Sequence, residues 1–207
     1  MIRSVTELIK YYKVLFNYIK VKQALVDGLR YSNKCLKIPD AKNECYKWKA
    51  LLLETYVFRH KFILTRFTRM WFNGAYARAH EVIPDDKMLK FTETKVACEI
   101  KLMVENKNGF TRNLSIIVKG ITKSERNFDC IKELLKYEQE IENVGSYPGE
   151  YYYLLGRAYA KQGDNQKAIE CLAKARLGPI VCQKTRHKNK NIQELYEKLY
   201  IFNHGVF

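Results

Sequence analysis

The segment from Gly149 to Pro179 constrains the fold more than any other part of this 207-residue chain. Its apolar residues recur at helical spacing on both sides of Gly163-Asp164, which predicts two short helices joined by a tight turn. Antiparallel helices approach closely only where a side chain is missing, so we expect Gly156 to lie opposite Ala168. The residues expected to pack the two helices together are Tyr152, Leu155, Gly156, Tyr159, Ala168, Leu172 and Ala175.

This order of bulky and small residues resembles the tetratricopeptide repeat, a helix-turn-helix unit of about 34 residues. The resemblance covers residues 149–182. Tyr152 stands where the family has a tryptophan, and Pro179 comes about one residue before the family's proline. The resemblance implies an all-α fold in which antiparallel helical hairpins stack as an α-solenoid. It also implies a binding scaffold and no particular reaction.

Repeats of this kind bury their apolar faces only against neighbours, so further helices are expected before and after the hairpin. A degenerate copy is predicted at about residues 111–145. Its apolar positions precede those of the clear repeat by a constant 38 residues and are Leu114, Ile117, Val118, Ile121, Cys130 and Leu134. The alternative is an unrelated helical hairpin. Downstream, a final amphipathic helix that caps the stack is predicted from Ile192, Leu195, Leu199 and Phe202.

The N-terminal part shows no clear repeat before residue 87. We therefore divide the chain into a basic helical region, residues 1–86, and a repeat region, residues 87–207, although both could form one continuous domain. Only 4 prolines and 10 glycines occur, which favours helices over a many-turned β-fold. Helix breaks are predicted near Gly28, Pro39-Asp40, Asn73-Gly74 and Pro84-Asp85-Asp86. Asp86 is expected to cap a helix that reaches about Glu105.

Charge is the second informative feature. The chain has 37 Lys and Arg residues against 22 Asp and Glu, a net charge of +15, and residues 1–72 alone contribute 15 basic and 5 acidic residues. Such an excess attracts polyanions such as RNA, with an affinity that falls steeply as salt rises. The charge balance therefore favours a nucleic-acid partner.

Two segments concentrate the positive charge. The first is Phe58–Phe72, with Arg59, Lys61, Arg66 and Arg69 beside aromatic residues, a mixture suited to phosphates and exposed bases. The second is Gln183–Lys190, with Lys184, Arg186, His187, Lys188 and Lys190 and no acidic residue. Each segment also has a purely structural interpretation. The arginine stems of the first segment could cover an edge of the core, and the second segment could be a solvated loop. We predict RNA contacts for both segments.

Catalytic, metal and cofactor sites are not expected. The four histidines have no spacing typical of a nucleophile motif, and no phosphate-binding glycine loop is present. The six cysteines lack a CxxC pair, so we expect no metal site and a reducing, cytoplasmic setting with Cys130 and Cys171 buried and reduced. No apolar run approaches the roughly 20 residues of a membrane span.

These features predict a non-catalytic scaffold that docks on a ribonucleoprotein, with the ribosome as the leading candidate. Its basic surfaces would contact rRNA, or tRNA, beside ribosomal proteins in the machinery of translation. A ribosome-inactivating or dormancy factor is one form of this hypothesis, and no motif establishes it. The alternative is an adaptor or co-chaperone that binds a protein peptide, the commonest use of tetratricopeptide repeats. A third hypothesis is that the basic N-terminal amphipathic helix binds a membrane surface or targets the protein to an organelle.

Overall fold

The computed structural model describes residues 18–59, 66–105, 127–140, 148–177 and 192–200, and every structural statement below concerns these residues. They are 88% helical and contain no strand. The predicted all-helical fold is therefore confirmed for this part of the chain. Its residues divide into two compact units, one up to Glu93 and one from Thr94 onwards, and the division falls inside a helix.

The first unit contains three helices and the beginning of a fourth. These are α1 (Tyr18–Cys35), α2 (Lys42–Arg59), α3 (Arg66–Val82) and the first residues of α4 (Lys87–Glu105), with a short 3-10 helix (Pro39–Ala41) between α1 and α2. Helix α2 contacts both α1 and α3. The α1–α2 contact is built around buried Ala24, Leu25, Cys45 and Leu52. Beside it, the sulfur atoms of Cys35 and Cys45 are bonded, a pairing that was not predicted.

Two predicted helix breaks are wrong. Helix α1 continues through Gly28 to Cys35, because Leu25, Gly28 and Ser32 lie on one buried face. Helix α3 likewise continues through Asn73-Gly74, because Phe72 and Tyr76 place large buried rings on both sides of the glycine. A glycine inside a helix costs only about 1 kcal/mol, and burial of one large apolar side chain stabilises by more than that.

The predicted cap at Asp86 is confirmed. The Asp86 Oδ1 atom accepts a hydrogen bond from the backbone N–H of Leu89 at 2.9 Å, and α4 then runs to Glu105 as expected. The Asp86 Oδ2 atom accepts from Lys47 Nζ of α2 at 2.6 Å. One carboxylate therefore both starts α4 and fixes that start against α2.

The second unit contains the rest of α4, α5 (Cys130–Leu135), α6 (Pro148–Gln162), α7 (Asn165–Leu177) and helical residues 192–200, called α8 here. Gly163 joins α6 to α7 with φ of 87°, a left-handed conformation that favours glycine. Asp164 caps α7 by accepting from the backbone N–H of Lys167 at 3.2 Å. The turn of the helical hairpin therefore lies at Gly163-Asp164, where the sequence predicts it.

Helices α6 and α7 run antiparallel and meet at Gly156. A Cβ atom built on Gly156 would lie 2.9 Å from Cγ of Leu172 and 3.2 Å from the carbonyl oxygen of Ala168. Leu155, Ala168, Leu172 and Ala175 are buried, whereas Tyr152 and Tyr159 are half-buried at the edge. Missing side-chain volume at one position therefore permits the contact along the whole hairpin.

Helix α8 covers one end of this hairpin. Ile192 is 2% exposed and packs with Leu172 and Ala175, and Leu195 and Leu199 pack against the same cluster. On the other side, α6 is fixed to α4, where Arg157 Nη1 lies 3.0 Å from Glu99 Oε2. A final amphipathic helix on the hairpin is therefore present at residues 192–200, and Phe202 lies outside the described residues.

Of the degenerate repeat, only its last part is described. Cys130 and Leu134 are buried in α5, whereas its four earlier positions fall within residues 106–126 and lie outside the described residues. Cys98, Cys130 and Cys171 are free and buried, as expected for the latter two. Burial raises the pKa of the Cys171 thiol to about 11.

The close contact at Gly156 predicts opposite effects of alanine at two helical glycines. Gly156→Ala should lower the free energy of unfolding by about 1–3 kcal/mol, because the new methyl group overlaps Leu172 and backbone oxygen of Ala168. Gly74→Ala is the matched control, since a Cβ there meets nothing within 4 Å, and it should stabilise by about 0.5–1 kcal/mol. Urea denaturation measures both. An equal effect of the two substitutions would contradict the proposed helix crossing.

Two buried tyrosines predict a second contrast. Among the described residues, the Tyr76 hydroxyl is buried without a hydrogen-bond partner, and the nearby Thr92 hydroxyl donates to the Met88 carbonyl at 2.7 Å. Burial raises the pKa of Tyr76 well above its usual value. The Tyr151 hydroxyl instead donates to the Leu134 carbonyl at 3.3 Å. Tyr76→Phe should therefore leave stability unchanged or raise it, whereas Tyr151→Phe should lower it by about 0.5–1.5 kcal/mol.

Thermal or urea unfolding of the two phenylalanine variants measures this difference. A large loss of stability in Tyr76→Phe would show that its hydroxyl has a partner after all and would overturn this description of the first unit's core.

Candidate nucleic-acid interface

Un-neutralised cations are what an RNA-binding surface needs, because a lysine already held by a carboxylate contributes little attraction to phosphate. The first such set lies at the end of α1. Arg30 and Lys34 are four residues apart on its solvent face, and Lys37 follows in the turn after Cys35. All three are exposed, and none forms an ion pair or hydrogen bond through its side chain within the described residues. We call Arg30, Lys34 and Lys37 the α1 basic strip.

The position of the strip follows from the core on the other side of the helix. Leu25, Gly28 and Ser32 are buried at helical spacing, so residues 30 and 34 must point away from them. The carboxylate on the solvent face, Asp27, accepts hydrogen bonds from Gln23 Nε2 at 3.1 and 3.2 Å. Asp27 therefore forms its described hydrogen bonds with Gln23 and no ion pair with the cations of the strip.

A neighbouring lysine is used differently. Lys49 of α2 donates to the side-chain oxygen of Asn33 at 2.8 Å, and burial lowers its pKa. Its bond joins α1 to α2 at the base of the α1 basic strip. We therefore assign Lys49 to the packing of these helices.

The predicted arginine segment, Phe58–Phe72, is described only at its two ends. Arg59 is the last residue of α2, and Arg66 and Arg69 lie in the first turn of α3. Their side chains, and all of Lys61, lie outside what the structure describes. The proposal that they share one RNA-binding face therefore stays a prediction.

The end of that segment shows an exposed aromatic residue. Trp71 is 64% exposed and Met70 is 60% exposed, whereas the next residue, Phe72, is buried. One turn further along α3, Gly74 has open space where a side chain would stand, and Arg78 is exposed. An indole ring and a guanidinium group therefore occupy one solvent face of α3.

Most cations of the α6–α7 hairpin are neutralised or held by carbonyl groups. Arg157 pairs with Glu99, and Lys161 Nζ donates to the backbone carbonyl of Glu105 at 3.0 Å. Lys167 lies 3.0 Å from Asp164, and this bond raises the pKa of the lysine and lowers that of the aspartate. Arg157 and Lys161 therefore fix α6 to α4, and the two cations that are paired with carboxylates, Arg157 and Lys167, contribute little net attraction to a polyanion.

Two cations at the end of α7 have aromatic neighbours instead. Lys174 Nζ lies 5.2 Å from the centre of the Tyr152 ring, and the Arg176 guanidinium lies 4.9 Å from that of Tyr196. Both cations are exposed, and neither has a carboxylate partner in the described ranges. Cation–π contacts leave the charge in place, so this end of the hairpin is a second electropositive region.

The predicted basic loop continues from this region along the chain. Lys184, Arg186, His187, Lys188 and Lys190 all lie outside the described residues. Their role in RNA contact remains a prediction.

A cavity of about 290 Å³ lies in the second unit between α4, α5 and α6. Its lining residues are Lys101, Leu102, Glu105, Cys130, Ile131, Ala158, Lys161 and Gln162. Lys101 Nζ donates to the Phe128 carbonyl at 2.6 Å, so both lysines of the cavity are bound to backbone oxygens. Lys101 also lies 3.8 Å from Oε1 of Glu105, so one of the two ammonium groups is already paired with a carboxylate of the lining.

Within the described residues, no three His, Cys, Asp or Glu side chains are close enough together to hold a metal ion. None of the described helices combines the length and the apolar character needed to cross a bilayer.

The residues of the α1 basic strip and the pair Trp71 and Arg78 were not predicted as sites. Spacing of four residues between Arg30 and Lys34 was a usable signal, but the helix was expected to end at Gly28. In the same way, a break at Asn73-Gly74 would have separated Trp71 from Arg78. Because the helix ends at Gly28 and Asn73-Gly74 were predicted wrongly, neither surface was recognised from the sequence.

Comparisons with known proteins give no assignment. No model of a known family matches the chain, and neither a curated protein nor a solved structure matches it. The functional conclusion therefore depends on the physical properties of these surfaces.

Proposed function

We propose that this protein is a non-catalytic helical-repeat scaffold that docks on a ribonucleoprotein through basic surfaces, with the ribosome as the leading candidate. The observation that carries the proposal is the α1 basic strip, three exposed cations that have no carboxylate partner among the described residues and lie opposite a well-packed core. Charges of this kind cost little where they stay solvated and release counterions when they meet phosphates. The chain's net charge of +15 supports the same conclusion.

The finer architecture belongs to the proposal as well. We infer that α6 and α7 form one tetratricopeptide-like hairpin and that α8 caps it, in a chain built as an α-solenoid with a basic N-terminal part. The contact at Gly156, the left-handed Gly163 and the packing of Ile192 on Leu172 support this inference. A rigid helical stack suits a ribonucleoprotein partner because it can present RNA-binding and protein-binding faces together.

The adaptor hypothesis has one observation in its favour, the cavity lined by Lys101 and Lys161. A clamp for an acidic peptide needs ammonium groups that are free to meet carboxylates, and Lys101 already lies 3.8 Å from the Glu105 carboxylate. The ribonucleoprotein proposal therefore accounts for more of the exposed charge. Charge removal on the surface should affect RNA binding, whereas substitutions inside the cavity should affect capture of a peptide.

Removal of the α1 basic strip tests the proposal. The variant Arg30→Gln/Lys34→Gln/Lys37→Gln should fold normally and bind purified ribosomes more weakly. If each residue meets one phosphate, the slope of log affinity against log salt should become shallower by about 2 to 3. Sedimentation binding assays at several salt concentrations measure this slope.

A matched control removes the same charge from paired lysines. Lys90, Lys136 and Lys167 form ion pairs with Asp85, Glu133 and Asp164, and the triple glutamine variant of these lysines changes net charge equally. It should keep a slope close to that of the unmodified protein. If the two variants lose affinity equally, binding follows net charge alone and the strip is not a docking surface. Glutamine at Lys184, Arg186, Lys188 and Lys190 should weaken binding if the basic loop is a further contact.

A further inference from the structure

Helix α3 exposes a large aromatic ring on a helix whose other side is well packed. Phe72, Tyr76 and Ala79 are buried, with exposures of 4%, 1% and 0%, whereas the Trp71 side chain is 64% exposed. An indole ring left in water forgoes much of the free energy that burial would provide. Its exposure beside a fixed core indicates a surface made for contact with another molecule.

The residues around Trp71 give this face a definite shape. Trp71, Gly74 and Arg78 occupy positions i, i+3 and i+7, so they lie on one side of the helix. Apart from the glycine's own helix, no described heavy atom lies within 4 Å of the place where a side chain on Gly74 would begin. The face is therefore an aromatic ring and a guanidinium group, separated by open space and by about 10 Å along the helix axis. We call Trp71, Gly74 and Arg78 the α3 face.

The α3 face carries one cation, Arg78. Arg78 is exposed and has no ion pair within the part of the chain that the structure describes. Glu81, three residues further along, is the one acidic residue of the helix and is exposed without pairing to Arg78. The unpaired guanidinium group of Arg78 favours an anionic group on the partner.

We propose that the α3 face binds single-stranded RNA, with an unpaired base stacked on the Trp71 ring and a neighbouring phosphate held by Arg78. This inference rests on the proposed function and specifies the kind of RNA and the residues that bind it. Bases of a duplex stack on each other and leave no ring surface for a tryptophan, whereas bases of a loop or a free end can be splayed out. Gly74 leaves the space that the ribose and the base edge need.

A protein partner is the competing occupant, because exposed Trp and Arg residues are also typical of protein interfaces. Two observations favour RNA. The guanidinium of Arg78 is un-neutralised, and the chain as a whole carries a net charge of +15. Each nucleotide of an RNA strand supplies a base for the ring and a phosphate for the cation. A protein would need an apolar group and an acidic group at matching positions.

Fluorescence of Trp71 provides a direct test, since the chain contains only two tryptophans. In a Trp48→Phe background, Trp71 alone emits when excitation avoids tyrosine. The probes are a 12-nucleotide oligouridylate, which has no stable secondary structure, and a blunt RNA duplex of the same length. We expect the single strand to quench Trp71 at saturation and the duplex to leave its emission largely unchanged.

Fluorescence anisotropy with labelled RNA gives the affinities. Trp71→Leu should weaken binding of the single strand at least about fivefold, as expected for loss of one stacked base, and should leave duplex binding unchanged. Arg78→Gln should weaken the single strand and reduce its salt slope by about 0.7, as expected for one phosphate contact. Both side chains are exposed, and circular dichroism confirms that each variant folds. Met70→Leu, at the exposed neighbouring position, is the control and should change neither affinity.

Three results would overturn the inference. The first is an absence of Trp71 quenching at saturating single strand. The second is an emission spectrum of buried indole in the free protein, which would show that another part of the chain covers the ring. The third is a Trp71→Leu variant that loses ribosome binding but keeps its affinity for RNA alone, which would assign the face to a protein partner.

Failure of this inference and failure of the proposed function are distinguishable. Ribosome binding that depends on the α1 basic strip but not on Trp71 would retain the function and refute the α3 face. Binding of the oligouridylate through Trp71 without any affinity for ribosomes would retain the α3 face and refute the ribosomal assignment.

Discussion

The second unit depends on one missing side chain. Because Gly156 has no Cβ, the α6 backbone can lie against Ala168 and Leu172 of α7. That contact brings the start of α6 beside the end of α7, where Lys174 lies over Tyr152. It also completes the apolar surface on which Ile192 packs. The next residue along α6, Arg157, is then in place to pair with Glu99 of α4. A larger residue at position 156 would push α6 away from α7 and so disturb all of these contacts, since each depends on the position of α6 or α7.

Local signals in the sequence predicted the helical class, the Gly163 turn and the Asp86 cap, because each depends on residues close together in the chain. The breaks at Gly28 and Asn73-Gly74 were wrong because burial outweighed the preference of glycine for turns. In α1 the decisive contacts are with Cys45 and Leu52, more than 10 residues away from Gly28. The periodicity of apolar residues did not show that these contacts stabilise the helix by more than the glycine destabilises it. The same limit applies to the Cys35–Cys45 pairing, which needs the turn between α1 and α2 to be known.

The candidate sites were predictable only in part, since a count of basic residues does not show which of them are neutralised. Arg157 and Lys167 contribute to the net charge of the hairpin, yet both are held by carboxylates in the fold. Arg30, Lys34 and Arg78 each add the same single charge to the count, but none of them has a carboxylate partner within the part of the chain that the structure describes. Charge that is left over after folding is therefore a better guide to a polyanion-binding surface than charge in the sequence. The two predicted basic segments lie largely outside the described residues and remain predictions.

The proposed association with a ribonucleoprotein can be measured by sedimentation of the protein in cell lysate. At about 100 mM salt, where several phosphate contacts still hold, the protein should migrate with ribosomal particles. Nuclease treatment that dismantles the particles, or a severalfold rise in salt, should move it to the top of the gradient. Migration as a free protein at low salt, or a position that neither nuclease nor salt changes, would contradict the account.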